Sequence, residues 1–394
     1  MTKSPAFRRA ALAAVAVLAV AIIAIADVPT SLTGSLKAGK LQLKSAGALA
    51  FGPDGVLFIG DSLGGSVAAI DTNDHTASKG APSINVEGLD AKIAAMVGVP
   101  ADQIVVNDMK VNPLSKNVYL SVSRGKGPDA QPLIVKVDTT GAVSNLSLDN
   151  VKFAQVSLVD APEANPAASS GSMSQAFRQD PRTTTITDMN FVDGNLLVAG
   201  MSNEEWNSAL RSIPVPFKNA ERGATLQIWH DSHGRYETQS PVRTFVPYTI
   251  AGQPYVLAAY TCTPLVRIPV SDLKAGAKVK GQTIADLGAG NQPLDMVPYK
   301  KDGKDYILVA NTAFGLLKVQ ADHLETYPII DSPTKNPGTA GMPFEKITSV
   351  TSVKQLAQLD SSNAVVLTAT SGPGPAFAPG PPVGPMNLKT IALP

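Results

Sequence analysis

The stretch Gly47–Asp71, GALAFGPDGVLFIGDSLGGSVAAID, decides the fold. It reads as an apolar strand, a Pro53-Asp54-Gly55 turn, a second apolar strand ending near Asp61, a Gly64-Gly65 turn and a third short strand. Short apolar runs separated by Gly, Pro and Asp are the pattern of consecutive hairpins.

The same beat continues outward from this stretch. Second strands of the same kind recur at Val56–Ser62, Val118–Arg124, Leu196–Ser202, Tyr255–Thr261, Tyr306–Thr312 and Ala364–Thr370, each after turn-forming residues. First strands are expected at Val105–Val111, Thr185–Val192 and Pro293–Tyr299. Third strands are expected at Leu133–Asp138, Thr225–His230, Leu265–Val270 and Gly315–Val319. The segment from Val242 falls on the segment from Pro293 without a gap, at an offset of 51. It matches Val246 to Val297, Tyr248 to Tyr299, Tyr255 to Tyr306, Leu257 to Leu308 and Thr261 to Thr312. Self-similar units of about 40–50 residues built from strands alone are propeller blades. A β-sandwich gives no reason for the internal match. The expectation is an all-β, six-bladed β-propeller.

The ends fit a closed ring. Leu41–Ser45 is expected as the outer strand of the last blade, paired with C-terminal strands that include Met386–Leu393, so that both termini close the ring and protect its edges. The Pro/Gly-rich piece Ser371–Pro385 reads as a solvent loop or a docking segment. Short helical insertions are expected at Leu89–Val97 and within Ser202–Gly223. In the second, Ser202 and Glu205 fit a capping box and Pro214 ends the helix.

Residues 1–26 stand apart. Lys3, Arg8 and Arg9 precede the 17-residue apolar run Ala10–Ala26, which ends in Ala24-Ile25-Ala26. This is the pattern of a secretory signal. The domains expected are a signal peptide, 1–26, and a propeller, 27–394. The expected destination is the periplasm or the extracellular space, with no membrane span once the signal is cleaved; the alternative reading keeps residues 1–26 as an uncleaved membrane anchor. Hydrophobic residues make up 44% of the chain and charged residues 16%, so a large core can form. Beyond the leader, 30 basic residues face 32 acidic ones with no basic block, which argues against a nucleic-acid partner. The single Cys262 cannot form an internal disulfide.

Three expected first strands carry Asp-Met: Asn107-Asp108-Met109, Thr187-Asp188-Met189 and Leu294-Asp295-Met296. First strands are innermost in a propeller, so Asp108, Asp188 and Asp295 are candidates to converge near the axis. Asp61 and Asn311, sixth in two second strands, are further oxygen donors. Two readings stand side by side: each Asp pins nearby backbone, or Asp108, Asp188, Asp295 and Asn311 hold a hard cation such as calcium. Asp61, Asn107, Arg124 and Arg211 are candidate ligand contacts, with the two arginines placed near a mouth. His230-Asp231-Ser232-His233 has the spacing of a metal pair, but it sits in a turn with no third ligand evident, so it reads as a solvated turn. Cys262 reads as a buried, inert thiol.

At Phe51–Asp71 and Asn107–Tyr119 the chain resembles the gluconolactonase and strictosidine-synthase-like group of six-bladed propellers. Asn107-Asp108 matches the Asn-Asp pair that opens such a strand in gluconolactonase-type members, and Asp295 is loosely similar to a metal-binding Asp there. The stretch Ser45-Ala46-Gly47-Ala48 lacks the metal-binding Glu of those hydrolases, and Thr187-Asp188 stands where they carry an Asn. The resemblance implies the propeller and, as a second reading, a calcium-dependent lactonase or arylesterase. The first reading is a binding protein that takes a small-molecule ligand or an envelope protein at its central face. No complete catalytic set is visible in the sequence.

Overall fold

A computed structural model describes residues 31–394, apart from 81, 128, 165–179, 263, 373 and 375–379. The expected signal at 1–26 and part of the 371–385 loop lie outside the described residues. The chain forms six antiparallel blades. Numbered by the order of their inner strands, those strands are Leu49–Phe51, Ile104–Val111, Asp188–Val192, Val242–Ile250, Pro293–Lys301 and Val353–Gln358. The second strands lie where the sequence puts them, and all six are found, from Val56–Asp61 to Asn363–Thr368. Val56–Asp61 is buried at every position, because each blade packs against a neighbour on both faces.

Turn chemistry sets the hairpins. The turns between first and second strands carry positive φ at both Asp193 and Gly194, and again at Asp302 and Gly303. This is the turn geometry that matches strand twist, and it favours Asp-Gly or Asn-Gly.

The core is divided among six apolar clusters, one in each gap between blades. They give the order around the ring. Blade 1 packs on blades 2 and 3, and blade 2 packs on blade 6. The ring therefore runs 2-1-3-4-5-6, and the first two blades are exchanged relative to the chain. The outer strands carry this exchange. Val151–Ser157 follows blade 2 in the chain yet forms the fourth strand of blade 1, and Lys37–Gly39 pairs onto its edge.

Three expectations are corrected. The ring is closed in blade 6 by Asn387–Ala392 from the C-terminal end and by Asn85–Val86 from the N-terminal quarter, not by Leu41–Ser45. Leu41 instead donates its N–H to the Leu148 carbonyl. Ser202–Gly223 holds no helix, since Ser208–Pro214 is the third strand of blade 3, paired along its whole length with Asn195–Met201. Ala224–His230 is then the fourth strand rather than the third. Sheet pairing and the burial of Ala209, Leu210 and Ile213 outweigh a local capping signal. The other insertion is the expected helix, Leu89–Val97, with Leu89 and Ile93 buried.

Candidate functional site

Asp108, Asp188 and Asp295 are buried on the inner strands of blades 2, 3 and 5. Each reaches across a gap to the blade that follows it around the ring. Leu49 N–H donates to Asp108 Oδ2 at 2.6 Å, Phe245 N–H to Asp188 Oδ2 at 2.8 Å, and Leu356 N–H to Asp295 Oδ2 at 2.9 Å. The three acids thus join the blade pairs 2–1, 3–4 and 5–6, a threefold arrangement inside a sixfold ring. Bulges at Asn107 and Leu294, immediately before Asp108 and Asp295, re-aim those side chains. Asp108 and Asp188 also accept the N–H of the following Met at 2.7 and 2.8 Å. The Asp does pin backbone, but the backbone of the neighbouring blade.

The remaining oxygens face one cation from the chain itself. Lys110 Nζ lies 3.2 Å from Asp295 Oδ1, 3.5 Å from Asp108 Oδ1 and 3.9 Å from Asp188 Oδ1. Lys110 was not among the candidates, although it sits two residues after Asp108 and so shares its face of the strand. Three carboxylates share one ammonium. Burial pushes Asp295 up to about 8, helped by the negative charges of Asp108 and Asp188 and opposed by Lys110. Burial likewise raises Asp188 against the pull of Lys110. Burial alone would lower Lys110, but the three acids outweigh it and hold its proton more tightly than usual.

Part of this cluster borders an axial cavity of about 560 Å³. Lys110 and Asp188 line it, and Phe191, Phe245, Val246 and Met296 supply apolar wall. It extends toward the face of the hairpin turns between first and second strands, where Lys116 and Ser361 line it.

The donor set does not fit calcium. Such an ion needs six to eight oxygen ligands, and here an ammonium stands among the acids. Asn311 lies elsewhere, at the end of a second strand, where its Oδ1 accepts the N–H groups of Ala313 and Phe314 and its amide donates to Asn291. Asp61 does the same work in blade 1, accepting from Lys44, Ser45 and Gly64. Asn107 is exposed and donates to the Ala46 carbonyl and to Ser123 Oγ. Arg124 is exposed at the end of its strand, on the face opposite the hairpin turns that line the funnel.

The placement of Arg211 near a mouth is corrected. Arg211 is 1% exposed within blade 3. Its Nε donates to Asp160 Oδ1 at 2.6 Å, and its terminal nitrogens donate to the carbonyls of Thr185 and Met201. Asp160 also accepts the Gly223 N–H, so this pair locks two loops in place. The solvated turn is corrected too. His230 is buried, and Cys262 comes from the adjacent blade to lie beside both histidines.

No protein-family model matches the chain, and no curated protein sequence matches it. Among solved structures it is similar to a putative oxidoreductase (glucose dehydrogenase) of Thermus thermophilus, at 11% identity and TM-score 0.34, over 90% of this chain and 100% of that one. It is also similar to a streptogramin B lyase, at 8% identity and TM-score 0.33, over 91% and 97% of the two chains. A luciferin-regenerating enzyme matches at 9% identity and TM-score 0.30, over 91% and 96%. These likenesses reach no further than the architecture.

Proposed function

We propose that this protein is an exported binding protein whose axial funnel takes a small, largely apolar molecule carrying a cationic or hydrogen-bond-donating group. One observation carries the reading: apolar walls share the cavity with Asp188 and Lys110 of a buried cluster in which three carboxyl groups face one ammonium, so acceptor oxygens outnumber the cation there. A ligand amine gains from those oxygens where water is excluded, while a carboxylate is repelled. The small molecule is preferred to an envelope protein, because the feature is a concave funnel rather than a flat apolar patch. The calcium-dependent lactonase reading rests on the same three acids, and Lys110 weighs against it.

Binding to matched aryl and alkyl amines, alcohols and carboxylates, followed by calorimetry, tests the proposal. Amines are expected to bind, and Asp188→Asn to weaken them about tenfold while the chain still unfolds in one cooperative transition. Carboxylates binding as well as amines would sink it. Lactone or aryl-ester turnover that needs calcium would favour the hydrolase instead. Export is supported by residues 1–26, with their basic start, apolar run and Ala-Ile-Ala end. N-terminal sequencing of protein recovered outside the cytoplasm should begin at Asp27; an intact Met1 start would overturn the cleaved signal.

A further inference from the structure

His230 closes the fourth strand of blade 3, and His233 lies in the turn after it. Glu237, on the short strand that pairs back onto His230, binds both of them. Its Oε2 meets His230 Nδ1 at 2.7 Å, and its Oε1 meets His233 Nδ1 at 2.7 Å. One carboxylate therefore holds two imidazoles by the same ring nitrogen. With Nδ1 turned to Glu237, each ring keeps its Nε2 away from that carboxylate. The rings are close, with centroids 3.7 Å apart and planes tilted by 33°.

The third group comes from blade 4. Cys262 sits in the turn after Gln253–Tyr260, held with φ at 62°, and its N–H donates to the Asn291 carbonyl. Its Sγ lies 3.9 Å from His233 Nε2. One ligand atom from each of His230, His233 and Cys262 can be chosen so that all lie within 4.8 Å of one another. His230 is 1% exposed, and its Nε2 has no hydrogen-bond partner. A buried ring nitrogen without a partner destabilises the fold unless something binds it. Close by, Asp286 fixes the turn by accepting from Ser232 N and Oγ, and its Oδ1 is also buried without a partner.

We propose that His230, His233 and Cys262 bind a thiophilic first-row transition metal, zinc or copper, through two Nε2 atoms and one thiolate, with one coordination position left open. The donor set suits these ions, since imidazole and thiolate together select zinc or copper over calcium and magnesium. Glu237 is the outer-shell carboxylate that orients metal-binding histidines and raises their basicity. A zinc ion with bonds of about 2.0–2.3 Å draws the three ligand atoms slightly closer than they stand. Exposed His233 gives the ion a path from solvent and leaves the fourth position for water or an incoming ligand. The site is built across the gap between blades 3 and 4, far in sequence from any single motif. It is independent of the funnel proposal and stands if that fails.

The test uses the purified chain, reduced and stripped with a chelator. Co2+ is titrated as a spectroscopic stand-in for Zn2+, then Zn2+ and Cu+ are titrated in competition with chromophoric chelators. One equivalent should bind with thiolate-to-cobalt charge transfer and the intense visible bands of a tetrahedral ion. Cys262→Ser should abolish the charge transfer, and His233→Ala should abolish tight binding, both with unchanged circular dichroism. Glu237→Gln should retain the bands but weaken affinity about 10–100-fold. Because His233 is exposed, its variant separates loss of a ligand from loss of the fold. Absence of a cobalt–thiolate band in the reduced chain, or full binding by Cys262→Ser, would overturn the proposal.

Discussion

Two of the buried polar clusters among the described residues solve burial differently. On the axis, three carboxylates meet Lys110, a cation supplied by the chain. Between blades 3 and 4, one carboxylate meets two imidazoles, and a thiol and an unpartnered ring nitrogen complete the group. The axial cluster is internally compensated, and its hydrogen bonds cross between blades, so it belongs to the ring's stability as much as to any ligand. The cluster at blades 3 and 4 leaves donor capacity unspent. Unspent donors mark a site prepared for something that comes from outside, whereas the axial acids serve first as a joint and offer a ligand only what Lys110 leaves.

The contrast is sharpest in Lys110→Met. Removing the ammonium leaves buried acids without their counter-charge, at a cost of about 3–5 kcal/mol, measured by chemical denaturation. Calcium should restore part of that stability in the variant and none in the wild type, because a mobile cation then replaces the tethered one. A variant as stable as the wild type would dissolve the distinction. Cys262→Ser should instead shift the metal-free chain by less than about 1 kcal/mol, since the thiol is not the counterpart of a buried charge.

An effect of pH separates the acids. The carboxyl of Asp295 is held up to about 8 in the folded chain, against an ordinary value of 3.8. Between those values the folded state binds more proton than the unfolded state, so this group's contribution to stability falls as pH rises from about 4 to about 8. The slope is at most about 1.4 kcal/mol per pH unit. Asp295→Asn keeps an acceptor for the Leu356 N–H and should flatten that part of the profile. A denaturation series across this range checks it, and an unchanged slope would reassign the shared proton. The smallest effect is expected at Arg124. Exposed and on the face opposite the funnel's hairpin turns, Arg124→Ala should leave amine binding and cobalt binding both unchanged, and stability within about 0.5 kcal/mol.

The blades were legible because strand alternation and Asp-Gly turns are local signals, and the Val242 and Pro293 segments repeat them in register. The Asp-Met motif was legible as three inward acids for the same reason. What was not legible depends on partners distant in the chain. A capping signal at Ser202 and Glu205 precedes Ser208–Pro214, and only pairing with Asn195–Met201 makes that segment a strand. Arg211 looks like a surface cation until Asp160, 51 residues earlier, is seen against it. Cys262 lies 29 residues from His233, and no spacing rule joins them. The order of the blades was invisible because Val, Leu and Ile fill every gap alike, so composition does not say which blade meets which. Lys110 could have been found, since it follows Asp108 by two on a strand.

The exchanged first blades have a consequence for the order of synthesis. Blade 1 has its inner three strands by Asp71 but waits for Val151–Ser157, after blade 2 has been made. Asn85–Val86 emerges early and finds its partner only when Asn387–Ala392 arrives at the end of the chain. Blade 1 has an open edge until Val151–Ser157 is made, and blade 6 until Asn387–Ala392 is made, and a growing chain in that state offers such an edge to any other strand. The last eight residues therefore act as a latch on the whole ring. Closure of the ring is withheld until Asn387–Ala392 has been made.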